Sequence, residues 1–131
     1  MDEQAKAAVA QTLRGAAGYI RRYGWCKDRL FDRVANLDKG ITFPSACALG
    51  AIILAATGEA DRDIGLTSAL ATTAIRSFAE YLVPEAVVFD REDAEQTVWS
   101  LNDRPDMTGE AMCDLLDKAA DYYTSETAVH Q

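Results

Sequence analysis

The chain has 131 residues, 49% of them hydrophobic, which is the length and composition of one ordinary domain able to bury its own core without staples. Thirteen Lys/Arg against 21 Asp/Glu leave a net charge of −8, and an acidic majority repels phosphates, so direct nucleic-acid binding is not expected. Cys26, Cys47 and Cys113 are odd in number and far apart, which argues against a disulfide framework or a CxxC metal clip; with an acidic Met1-Asp2-Glu3-Gln4 start and no secretory pattern, a cytoplasmic protein is expected.

From about Glu3 to Tyr23, Ala5, Ala8, Val9, Thr12, Leu13, Ala16 and Ile20 recur at intervals of three and four, which predicts an amphipathic helix ended by Gly24. Gly15 and Gly18 weaken it in isolation and suit close contact with another helix. Leu30, Phe31, Val34 and Leu37 fall on one side of a short second helix over residues 27–37, and residues 36–42 read as a loop. Residues 45–57 then carry no charge from Ala46 to Ala56. Such a helix has no face suited to water, so it is expected at the centre of the fold, with Ser45 as its cap and Gly58 as its stop. The apolar stretch falls short of the roughly 20 residues a bilayer requires, so no membrane span is expected.

Residues 59–65 are charged and broken by Gly65, which predicts an exposed loop. A helix from about Thr67 to Val83 follows, with the stripe Leu70, Ala71, Ala74, Ile75, Phe78 and Leu82, and Pro84 ends it. Residues 86–89 read as an extended connector. Asp90 caps a fifth helix to Leu101, with Ala94, Thr97, Val98 and Leu101 inward, and residues 102–106 form a turn. The last helix runs from Thr108 to about Tyr123 on the stripe Met112, Leu115, Leu116, Ala119 and Tyr122. The expected fold is therefore all-α, a single compact bundle of five or six helices around a buried central helix at 45–57. Residues 1–123 form one domain, and 124–131 form a frayed tail.

Catalytic groups are scarce. His130 is the only histidine and sits in the tail, which argues against a histidine triad or metal site. Cys26 is the best thiol candidate, because Arg22, Lys27 and Arg29 are placed to lower its pKa, whereas Cys47 reads as an inert small hydrophobe and Cys113 as half-buried. The acidic clusters at 61–63 and 90–93 do not fit a calcium loop, and no phosphate cradle is present, so neither metal nor cofactor is expected.

Residues 1–40 carry a net charge of +3 and residues 41–131 one of −11. The plain reading is a solvated acidic surface; head-to-tail self-association or an acidic imitation of nucleic acid are the sharper ones. Glu110, Asp114, Asp117 and Asp121 line one side of the last helix, where they suit a basic partner. Trp25 and Trp99 serve either as core margin or as interface anchors.

Cys47-Ala48-Leu49-Gly50-Ala51, the earlier Gly24-Trp25, and Asn102-Asp103-x-Pro105 before a terminal amphipathic helix together resemble a domain-of-unknown-function family from actinobacteria and their phages. Leu101 stands where that family often has tryptophan, and Asp106 where glycine is usual. The resemblance implies a small helical phage or host protein and brings no activity with it. The function expected is a non-enzymatic interaction or regulatory protein that meets a protein partner, or a second copy of itself, through Trp99, Asn102, Asp103, Glu110, Asp114, Asp117 and Asp121. The alternatives are a small-ligand binder or enzyme with a pocket near Trp25, Cys26 and Asn102, and the acidic mimic.

Overall fold

The computed structural model of the chain describes residues 1–32, 43–85 and 90–124. Asp2 opens α1 (Glu3–Tyr23) by accepting the Ala5 amide at 2.7 Å, which satisfies one orphan donor of the first turn. The buried face of α1 is Val9, Ala10, Thr12, Leu13, Ala16, Ala17 and Ile20, and Gly24 closes the helix at φ 104°. Of the two mid-helix glycines, only Gly15 meets a neighbour: a Cβ there would lie 3.2 Å from Ala55 Cβ, whereas nothing lies within 4 Å at Gly18.

The helix expected over 27–37 does not begin where the sequence pattern placed it. Asp28 takes a left-handed φ of 66°, which breaks helical continuation, and β1 (Phe31–Asp32) pairs antiparallel with β2 (Ser45–Ala46) in the register Phe31 to Ala46 and Asp32 to Ser45. Trp25 adds a parallel bridge to Ala46. The rest of that expected helix, the whole 36–42 loop and the 86–89 connector lie outside the described residues.

The central helix, α2 (Ala48–Thr57), starts two residues later than a Ser45 cap would place it, because Ser45 and Ala46 are held in the small sheet and Cys47 takes the cap, its sulfur accepting Gly50 N–H at 3.5 Å. Gly58, at φ 79°, stops it as expected. Ala48 to Leu54 are all buried, and only the last turn reaches solvent at Ala55. The enclosing helices are α1, α3 (Arg62–Thr67), α4 (Ala69–Leu82) and α5 (Arg91–Asn102). Residues 62–65, expected as part of a loop, belong instead to α3, because Asp61 accepts from Asp63 N and Ile64 N, and Gly65 presses onto Ile53, where a Cβ would come within 2.8 Å.

Ser68 caps α4 and Asp90 caps α5. Thr108 takes the Ala111 amide at 3.1 Å and starts α6 (Gly109–Thr124), which packs along α1. Tyr122, expected in its buried stripe, is exposed, and Tyr123 is buried in its place because its hydroxyl donates to Ser77 C=O from inside the core. Both positions satisfy the helical period, so the hydroxyl's partner decides between them. Phe78, Leu13, Ile52, Ile53, Ile75, Met112 and Leu116 fill the centre, each worth about 1.5–3 kcal/mol of transfer from water. Among the described residues no helix is long and apolar enough to cross a membrane. Residues 125–131 of the expected tail, with His130, lie outside the described residues; Thr124 is the last residue of α6.

Candidate functional site

Three segments remote in sequence meet at the first turn of α2. Asn102, the last residue of α5, is fully buried and uses all four of its hydrogen-bonding positions. Its Oδ1 accepts the Trp25 indole N–H at 2.7 Å and the Ala48 amide, an orphan donor of α2, at 3.0 Å. Its Nδ2 donates to Cys26 C=O at 3.1 Å and to Asp103 Oδ1 at 3.0 Å. Asp103 in turn accepts the Asp28 amide at 3.1 Å, fixing the left-handed residue, and accepts the Trp99 indole N–H with its other oxygen. Burial alone would raise the Asp103 carboxyl, but the bonds from Asn102, Asp28 and Trp99 outweigh it and hold it below its ordinary value.

Trp25, Cys26 and Asn102 thus meet in a hydrogen-bonded joint, and of the three only Trp25 also lines an open depression, on the side of α6. Trp25 is half-buried, with Lys27 Nζ 5.4 Å above its ring, while Lys27 also donates to Arg104 C=O at 2.7 Å. A more enclosed space lies beside Trp99. A recess of about 160 Å3 is floored by Leu30, Cys47 and Leu49, and Asp28, Arg29, Arg62, Glu95 and the Trp99 indole complete its lining. Trp99 is 48% exposed. Sequence reading assigned Trp99, which falls outside the inward stripe of α5 where a tryptophan on a wet face signals contact, and passed over the other residues of the recess, which no local pattern joins to it.

The thiols are quiet. Cys26, the best thiol candidate by its basic neighbours although cysteines near helix ends are mostly packing residues, is pushed up to about 12 by burial, with Cys47 and Asp32 adding to the rise and Arg29 opposing it too weakly. Burial likewise pushes Cys47 up to about 11 and raises Cys113, which is fully buried and donates to Ala17 C=O at 3.5 Å. Alkylation with iodoacetamide at pH 8 should therefore proceed on the native protein at less than about a hundredth of the rate in urea, because the thiolate is the reacting form; similar rates would contradict the burial described. Among the described residues no three His, Cys, Asp or Glu side chains are grouped to hold a metal ion.

The acidic side of α6 faces basic residues of its own chain. Asp121 pairs with Arg14 at 2.8 Å, Asp117 with Arg21 at 2.8 Å, and Asp114 lies 3.5 Å from Arg21. The charge asymmetry between the two ends of the chain is met in part where α1 lies along α6, and exposed pairs of this kind contribute little to stability. Glu110 is exposed one turn earlier, on a wider depression of about 470 Å3 that it shares with Ile20, Arg21, Trp25, Gly109 and Cys113.

The model of a family of unknown function, DUF6197, matches residues 4–122, a span that takes in α1, the joint at Asn102 and nearly all of α6. The chain belongs to the DUF6197 family. In this DUF6197 protein the three stretches Gly24-Trp25, Cys47 to Ala51 and Asn102-Asp103 meet through Asn102, which binds both Trp25 and Ala48. No curated protein and no solved structure matches the chain.

Proposed function

We propose that this DUF6197 protein is a non-enzymatic interaction protein whose partner docks on the face centred on Trp99. The observation that carries the reading is a large indole left nearly half exposed, with its N–H anchored by Asp103, at the edge of an apolar recess rimmed by charge. Anchoring fixes the ring before a partner arrives, so less freedom is lost on binding, and tryptophans so placed commonly dominate interface energies. The acidic helix is a weaker candidate for the contact, since Asp114, Asp117 and Asp121 already have arginine partners, and the same pairing lessens the support for a nucleic-acid mimic. Three free cysteines fit work in a reducing compartment such as the cytoplasm.

The test is selection of random peptides on the immobilised protein, followed by affinity measurement on variants. Trp99→Ala should weaken the selected peptides by about thirtyfold or more, the size of a hot-spot loss, while its melting temperature stays close to wild type because the side chain is half outside. A triple change of Asp114, Asp117 and Asp121 to Asn should leave them bound. Peptides held equally by Trp99→Ala would remove this face from the function.

A further inference from the structure

The recess beside Trp99 has room for one bulky side chain. Its volume of about 160 Å3 is close to the roughly 150 Å3 of an engineered apolar cavity that takes up benzene. Its floor of Leu30, Leu49 and an uncharged Cys47 thiol offers no strong polar partner, so the part of a ligand that enters must be apolar. Charge is confined to the surrounding side chains, and half of it is already engaged. Arg29 lies 3.8 Å from Asp32, and Glu95 lies 3.4 Å from Arg91. Asp28, from the loop after α1, and Arg62, the first residue of α3, are exposed and make no ion pair among the described residues.

A guanidinium without an ion pair among the described residues, set beside an apolar recess, is complementary to a carboxylate carried within a few bonds of a bulky apolar group. In a polypeptide the C-terminal residue has that arrangement, since its side chain and its carboxylate leave the same Cα, and its amide N–H is a donor for a nearby carboxylate. Resting on the Trp99 reading above, we infer that the recess binds the free C-terminus of a partner polypeptide ending in Phe or Leu. The terminal side chain enters against Leu30, Leu49 and Trp99, the α-carboxylate meets Arg62, and the last amide N–H donates to Asp28. Capture of a terminal carboxylate is an established mode of peptide recognition, ordinarily by backbone N–H groups; here the Arg62 guanidinium takes that part.

Calorimetric titration of the full chain with acetyl-Gly-Ser-Gly-Phe, as free acid and as C-terminal amide, tests this. The acid should bind at least tenfold more tightly than the amide, and Arg62→Gln, an exposed change that leaves the core untouched, should abolish the difference. Equal affinity for the two forms, no binding of either, or a gap that survives in Arg62→Gln would overturn the inference. So would free phenylalanine binding more tightly than the acetylated acid. If both forms bind equally and Trp99→Ala abolishes both, the Trp99 face stands and the terminal carboxylate falls. If neither binds and peptide selection yields no Trp99-dependent sequence, both readings fall.

Discussion

Asn102→Leu should lower the unfolding free energy by about 4 kcal/mol in a urea titration, a large loss for one isosteric change. The leucine fills the same space, so the cost is the hydrogen bonding alone. It strands the Trp25 indole N–H, the Ala48 amide and Cys26 C=O around a fully buried position, and each stranded group costs about 1–3 kcal/mol. Asp103 suffers least, since it keeps the Asp28 and Trp99 donors. Asn102→Asp separates the terms further. It keeps both acceptances but removes the donor to Cys26 C=O and sets two carboxylates side by side. The new carboxyl would have its folded pKa raised above the unfolded value of about 3.9, so the loss is full above the folded pKa and shrinks as pH falls toward 4. A loss below about 1 kcal/mol for Asn102→Leu would mean that the joint does not hold the first turn of α2.

Gly50→Ala should cost about 3 kcal/mol and lower the melting temperature by roughly 10 °C. Two effects oppose each other there. Alanine favours a helix over glycine by about 1 kcal/mol, but a Cβ at this position would lie 2.3 Å from Leu30 O and 2.9 Å from Phe31 Cε1. The oxygen has no easy retreat, because it accepts Cys47 N–H at 3.0 Å, so either α2 shifts or that bond is lost. Steric overlap with backbone therefore wins. Gly18→Ala is the control: nothing lies within 4 Å, and the substitution should stabilise by about 0.5–1 kcal/mol. Equal behaviour of the two variants in thermal unfolding would contradict the close approach of the Leu30 backbone to α2.

The helical class and the central place of α2 were legible because an uncharged run from Ala46 to Ala56 leaves a helix no wet face, whatever its neighbours. Its first turn was not. Ser45 is the better cap by intrinsic preference, and only the pairing of Ser45-Ala46 with Phe31-Asp32 and Trp25 moves the start to Ala48. Leu30, Phe31, Val34 and Leu37 fit a helical period, yet four matches in so short a stretch cannot exclude a bend followed by a strand at Phe31-Asp32. Asn102 and Asp103 read locally as turn formers; their partners lie up to 77 residues away, beyond any local pattern. The acidic stripe of α6 was visible as a face, but not that Arg14 and Arg21 would lie across from it. Of the recess, sequence reading identified Trp99 alone, because Asp28, Arg62 and Glu95 become neighbours only once a loop, a short helix and α5 converge.

The bond from Ala48 N–H to Asn102 joins residues 54 apart, and it bears on how the polypeptide emerges during synthesis. Until Asn102 has cleared the ribosome, the apolar rod from Ala48 to Leu54 lacks both that amide's acceptor and the shelter of α5. Closing so long a loop is entropically slow, and the sticky surface stays uncovered meanwhile. The nascent chain is therefore expected to complete its fold late, and truncation ahead of Asn102 should release a fragment prone to aggregate.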